Sequence, residues 1–416
     1  MKYKKISFDN YDIYYINTKK FKTIQLTTIL INDFKEEDIT KEKVITELLV
    51  STNKEYNTEV SLSKRIMELY EPRFDIVDIF NDKHLKILDM NFLNEKYTEP
   101  GMNKETIDFY YSLYFKPNIK DNSFEKNNFD MTINRIKSFI NLDKEDPKMI
   151  AYTSMIKHIK DDVPFRIDDR IKLKDLKEIN NKDLYSYHKN RIKSSKVIVV
   201  LTGDINEDII NIVRSNLDSK VYKNEKDFKK EYDLKPVKKE GEFIKTSKSN
   251  QSILYMIYKM HNLTKWEKNI VLPIFNDILG GSSSKLFNNV REKNSLAYYA
   301  YSNFATFSGI LYLYAGITNS NYKKTVEIMK EQVNDMIKGN ITDIELNNSI
   351  ESLCSTIYEK EDRISSINQS LSYHILYDLI MMDEMIEKYK SVTKEELVEL
   401  GSKLELDFVF LLKGDN

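Results

Sequence analysis

A chain of 416 residues is too long for one ordinary domain and points to two or three. With 41% hydrophobic and 12% aromatic residues it can fill real cores, and a near-balance of 64 basic and 65 acidic residues gives no reason to expect nucleic acid. One cysteine, Cys354, excludes a disulfide framework and any multi-cysteine metal site. No apolar run approaches the roughly 18 residues of a membrane span, and no apolar stretch follows the basic N-terminus, so a cytoplasmic protein is expected.

In chain order, residues 3–17 read as two short strands around the Asp9-Asn10 turn, and Thr23–Leu30 as a third. Asp38–Thr52 carries Ile39, Val44, Ile45, Leu48 and Leu49 at helical spacing, and a second helix over 60–69 stops before Pro72. Phe74–Phe80 and Leu85–Leu93 form a strand pair about Asn81-Asp82. Helices are predicted over 104–115, 124–142, 147–159 and 181–191, then the hydrophobic strand Lys196–Thr202 closing on Gly203-Asp204, then a helix over 205–217. Residues 219–249, rich in lysine and glutamate, read as a solvated linker. Beyond it come a strand at 252–258, a helix over 265–279, strands at 298–304 and 310–316, and helices over 321–338 and 342–370. A helix over 394–404 and the strand Asp407–Leu412 end the chain.

Ile179–Asp204 and Val392–Asp415 echo one another: each has a short apolar entry, a capped helix, a hydrophobic strand and Gly-Asp. Read as a repeat, this gives an α+β fold of two homologous α/β units in tandem, 1–218 and 250–416, joined by the lysine-rich linker 219–249.

No two of the five histidines lie within five residues of each other, so neither H-E-x-x-H nor its inverse occurs. Dinucleotide, P-loop and G-x-S-x-G signatures are absent as well. What does stand out is L-G-G-S-S-S-K-L-F-N-N-V-R-E-K-N-S-L-A-Y-Y-A-Y-S, Leu279–Ser302, which holds the only adjacent glycines of the chain, Gly280 and Gly281. Glycine tolerates close backbone approach, so Gly280, Gly281 and Ser282 are candidate substrate-binding positions.

That stretch resembles the second-half signature of the pitrilysin/insulinase-like zinc metallopeptidases, in the branch of the mitochondrial processing peptidase. The resemblance implies two α/β halves, each a mostly antiparallel sheet packed with helices, around a chamber for unfolded peptides. Active members carry H-x-x-E-H on the first long helix; here the matching positions are Lys43, Thr46 and Glu47, and no histidine precedes His84. The family's substrate-supporting arginine and tyrosine fall on Arg291 and Tyr298. The resemblance therefore implies a non-catalytic subunit of a heterodimeric peptide-processing enzyme. It would hold no metal itself, and the zinc would be expected in a homologous partner bearing H-x-x-E-H. The alternative is a catalytically inert peptide-binding or scaffold protein.

Overall fold

The computed structural model describes residues 1–143, 146–226, 232 and 234–415, which fall into two compact units. The first comprises Met1–Leu142, Asp169–Lys230 and Asp362–Leu376; the second comprises Asp143–Asp168, Glu231–Glu361 and Tyr377–Asn416. Each unit thus takes a short segment from the other half of the sequence.

In the first unit the strands are β1 (Lys4–Ser7), β2 (Tyr11–Asn17), β3 (Thr23–Asn32), β4 (Arg73–Phe80) and β5 (His84–Leu93). After a small hairpin, β6 (Ile119–Lys120) and β7 (Ser123–Phe124), comes β8 (Lys196–Gly203). The six-stranded sheet has the order β1-β2-β8-β3-β5-β4. Only the β2–β8 pair is parallel. A central strand covered on both faces must be apolar at successive positions, hence K-V-I-V-V-L-T-G in β8. Alternation along β5 sends Leu88, Met90 and Phe92 into a core with Leu48, Leu49, Ile107, Tyr110, Leu184 and Val213, contributed by four helices.

The opposite face of this sheet receives the helix Ile364–Tyr377. Its buried Asn368 donates to Thr27 Oγ1 (2.7 Å) and accepts from Thr202 Oγ1 (2.8 Å), so the amide is used at both ends. The single helix predicted over 342–370 is two, Asp343–Glu361 and Ile364–Tyr377. The run E-K-E-D-R at 359–363 offers no apolar stripe to hold a continuous helix. Instead Asp362 pairs with Lys20 (2.7 Å), and the Arg363 carbonyl starts a new helix by accepting from Ser366 and Ile367.

The second unit contains β9 (Gly241–Thr246), β10 (Ser252–Met260), β11 (Ala297–Ala305), β12 (Ile310–Ile317) and β13 (Leu404–Lys413), in the order β11-β12-β10-β13-β9. Again one pair, β9–β13, is parallel and the rest antiparallel. The order β9-β13-β10-β12-β11 repeats β2-β8-β3-β5-β4, so both units are α/β with a mixed sheet of one topology. The lysine-rich segment 219–249 contains β9, whose exposed charged positions hide the strand in the sequence; residues 227–231 and 233 of that segment lie outside the described residues. Among the described residues no helix is long and apolar enough to cross a membrane.

Replacing Asn368 by alanine strands the buried Thr202 hydroxyl and takes a donor from Thr27 Oγ1, which keeps its bond to Asp89. A loss of about 1–3 kcal/mol is expected, read as a lower urea midpoint at unchanged slope.

Candidate functional site

The helix Ile39–Ser51 packs beside β4 and carries the three positions matched to the zinc motif. Their spacing puts them on one side of the helix, yet each has a different partner. Lys43 pairs with Asp169 at the surface (2.9 Å), and Glu47 reaches Arg135 (3.3 Å). Thr46 turns inward and donates to Asp78 Oδ2 (2.6 Å).

Beneath Thr46 lies a buried charge network. Lys86 Nζ is 2.9 Å from Asp78 Oδ1, 3.2 Å from Glu42 Oε2 and 2.8 Å from Thr46 Oγ1. The Glu42 backbone carbonyl also accepts from it at 3.3 Å, so four oxygens surround the ammonium. Glu42 Oε1 accepts from Arg191 Nε (2.7 Å) and from the Tyr187 hydroxyl (2.8 Å). An Arg191 terminal nitrogen lies 2.6 Å from His84 Nδ1. Guanidinium can only donate, so His84 is the Nε2–H tautomer and gives that proton to Asp78 Oδ1 at 2.6 Å. Phe80 stacks on the imidazole with centroids 4.9 Å apart.

Glu42, Asp78, His84 and Lys86 expose only 2% of their side chains. Burial alone would push both carboxyls up. The Lys86 ammonium overrides it, helped by His84 and Thr46 at Asp78 and by Arg191 at Glu42, and both are held below the usual carboxylate range.

Glu42, Asp78 and His84 bring ligand atoms within 4.8 Å of one another, a spacing that could hold a metal ion. The arrangement fits a different cation. Lys86 bonds both carboxylates, and the Nδ1 lone pair that zinc would need already accepts from Arg191. Sequence reading missed this cluster, although a signal was present: Asp78, His84 and Lys86 interrupt the apolar alternation on the core-facing sides of β4 and β5.

In the second unit, Arg291 and Tyr298 line the same open cleft of about 410 Å³, together with Ser295, Leu296, Thr318 and Asn321. Both stand on irregular backbone. Arg291 lies in the π-helical turn Phe287–Glu292, which Lys293 N–H extends by bonding the Asn288 carbonyl (2.9 Å). Tyr298 has no partner in the β11–β12 register, because Ala297 faces Ile317 and Tyr299 faces Gly316. A bulge of this kind re-aims a side chain, and Tyr298 is 64% exposed. The Arg291 guanidinium lies over the Phe287 ring (5.1 Å), with Glu292 3.6 Å from Nε. Among the described residues its terminal nitrogens and the Tyr298 hydroxyl have no hydrogen-bond partner.

Gly280 and Ser282 do not line this cleft. Gly280 is buried, and a Cβ there would come within 2.1 Å of the Ser302 backbone nitrogen. What approaches Gly280 closely is β11. At Gly281 a Cβ would meet Asp277 Oδ1 at 2.5 Å, and Ser282 is exposed.

The two α/β units share one topology, and no H-x-x-E-H occurs on the first long helix. Residues 178–353 match the Peptidase M16 inactive domain. A probable inactive metalloprotease of Bacillus subtilis, YmfF, is 24% identical over 410 residues, covering 96% of this chain and 95% of that protein. A conserved protein from Enterococcus faecalis V583 superposes with a TM-score of 0.90 at 24% identity, over 99% of both chains. A peptidase M16 inactive domain from Pseudomonas fluorescens gives 0.81 at 14% identity, over 100% of this chain and 98% of that one. The match to the Peptidase M16 inactive domain thus spans residues 178–353, and the similarity to the inactive metalloprotease runs along nearly the whole chain.

Removing the central ammonium by Lys86→Met leaves Asp78 buried without its counter-ion and Glu42 with Arg191 alone, at an expected cost of about 3–5 kcal/mol in denaturant unfolding. In the wild type both folded carboxyl pKa values lie below their unfolded ones. Their stabilisation is therefore complete above the ordinary carboxylate range, about pH 4, and is lost as pH falls through the folded values. In Lys86→Met the sign reverses at Asp78, since acid neutralises a buried carboxylate that has lost its ammonium partner. Opposite slopes of stability against pH in the two proteins would establish the assignment; parallel slopes would refute it.

Proposed function

We propose that this chain is the non-catalytic subunit of a heterodimeric zinc metalloendopeptidase of the mitochondrial-processing-peptidase type. It would bind an extended peptide and present Arg291 and Tyr298 to a site whose zinc is held by an H-x-x-E-H homologue. The observation that carries the reading is the contrast between two places in the chain. The positions matched to the metal motif are engaged in other bonds, whereas the Tyr298 hydroxyl and the terminal nitrogens of Arg291, two residues that line one open cleft, have no hydrogen-bond partner among the described residues. In this reading 1–218 and 250–416 are the duplicated halves, 219–249 connects them, and the complex works in the cytoplasm.

The chemistry follows from the two groups. The guanidinium offers a planar fork of donors that can hold a peptide carbonyl or carboxylate in a fixed orientation. The Tyr298 hydroxyl can donate to the oxyanion that develops as the scissile carbonyl is attacked, a contact typically worth about 3–4 kcal/mol in the transition state. Zinc on the partner would supply the activated water. This chain's part is to bind, orient and donate.

The test is reconstitution with a homologue bearing H-x-x-E-H, assaying peptide cleavage and bound zinc for each chain alone and for the mixture. Cleavage is expected only in the mixture, with zinc only on the partner. Arg291→Ala should lower turnover by at least about tenfold, the scale of one lost transition-state donor, while the complex still assembles. Full-rate cleavage by the partner alone would end the shared-site reading and favour an inert peptide-binding or scaffold protein.

A further inference from the structure

The first unit holds an open cavity of about 460 Å³ between the helix Asn181–Ser194, the turn that leads into it and Lys41 of the first long helix. Its size falls within the roughly 300–1,000 Å³ of small-molecule sites. Asp183, Ser186, Tyr187 and Asn190 recur at three-to-four-residue spacing, so one side of the helix makes the wall. Ile179, Leu184 and the ring of Tyr187 give the cavity its apolar lining.

Its charges are not balanced. The Lys41 ammonium is committed to Asp38 (2.9 Å) and lies over the Tyr187 ring, 5.1 Å from the centroid. Glu178 and Asp183 also line the cavity, and among the described residues neither carboxylate has an ion-pair or hydrogen-bond partner. The start of the helix does not consume them, because Asn180 Oδ1 already accepts from the backbone nitrogens of Lys182 (3.0 Å) and Asp183 (3.1 Å). The ring itself favours a cation. Tyr187 donates to Glu42 Oε1 (2.8 Å), and burial, with Glu42 behind it, holds the phenol far above its ordinary pKa. A phenol that stays protonated while donating to an anion is electron-rich across its ring, and cations are drawn to that face. The Lys41 ammonium and, at 5.8 Å, the Arg191 guanidinium are both found against it.

We propose that this cavity binds a small primary alkylamine, its ammonium between Glu178 and Asp183 and its alkyl chain against Ile179, Leu184 and the Tyr187 ring. Charge selects the head group: an anion would face two carboxylates, and a neutral ligand would leave them without a counter-ion. The apolar lining selects the body, since a bare cation would leave Ile179 and Leu184 wet. An ammonium has three hydrogens, and Asn190, whose side chain also has no partner among the described residues, offers a third oxygen. Lys41 displays the same chemistry within the chain, as a butylammonium group laid on Tyr187 with a carboxylate answering its charge. The site shares no residue with the Arg291–Tyr298 cleft and does not depend on the function proposed above.

The probes are pentylamine, its neutral isostere pentanol and the anion pentanoate, titrated into the full chain by calorimetry at fixed ionic strength. Pentylamine is expected to bind saturably with a Kd of about 1 mM, and the other two not to bind measurably. Glu178→Gln with Asp183→Asn should weaken the amine about tenfold, the scale of two exposed ion pairs. Both positions are exposed, so this variant is expected to melt like the wild type. Ser186→Trp, also at an exposed position, fills the cavity and should abolish binding. Equal affinities for pentylamine and pentanol would overturn the proposal, as would an undiminished affinity in the Ser186→Trp chain, which would place the ligand elsewhere. Absence of saturation up to about 10 mM amine would refute it as well. Tighter binding of Nα-acetyl-lysine methylamide than of pentylamine would make a polypeptide side chain the occupant and refute the free amine.

Discussion

In each unit the strand that closes the sheet arrives last and is inserted in the middle. β8 lies between β2 and β3, and β13 between β9 and β10, each parallel to the first of these and antiparallel to the second. A two-sided central strand must satisfy ladders on both edges and apolar cover on both faces. This is why K-V-I-V-V-L-T-G is the most hydrophobic strand of its half and why β13 runs F-V-F-L-L at successive positions. The constraint also fixes which strands remain at the edges. β4 and β11 occupy the same place in the two orders, and each candidate site is built around one of them: the charge network from Asp78 of β4, the cleft from Tyr298 of β11.

The two halves use equivalent positions in opposite ways. Beneath the first long helix, polar side chains are withdrawn from water and consume one another. The ammonium of Lys86 is surrounded by four oxygens, Glu42 is shared between Lys86, Arg191 and Tyr187, and His84 is fixed in one tautomer. Such a network resists change because loss of any member leaves a buried charge exposed to low dielectric. In the second unit Arg291 on its π-turn and Tyr298 on its bulge line a cleft open to solvent, and among the described residues the Arg291 terminal nitrogens and the Tyr298 hydroxyl make no hydrogen bond.

Much of this was legible in the sequence, and the omissions have physical causes. Strand pairs with tight turns, helices with clean apolar stripes and the α-helix-to-strand echo at 179–204 and 392–415 all survive in the structure, since each is set by local pattern. The break at Asp362-Arg363 was invisible, because a charged run fits a solvated helix as well as a loop; what decides it is Asn368 reaching Thr27 and Thr202, more than 160 residues away in sequence. β9 was hidden by its exposed charges and by parallel pairing to a strand that comes over 150 residues later. The Gly-Gly pair was conspicuous, yet what crowds Gly280 is Ser302 of β11, a contact no local pattern announces.

The buried cluster carries a more general point about how a metal site can be closed. Glu42, Asp78 and His84 alone would make a plausible set of hard and borderline ligands. Lys86 puts a single, covalently tethered positive charge among them. A tethered cation needs no ion from solution and loses no translational entropy on binding, and its three hydrogens impose a geometry of their own. It also cannot activate water, having no open coordination position. The first unit therefore keeps the electrostatic cohesion that a bound cation could give its helix and sheet, while the hydrolytic chemistry such a cation could perform is absent from the site.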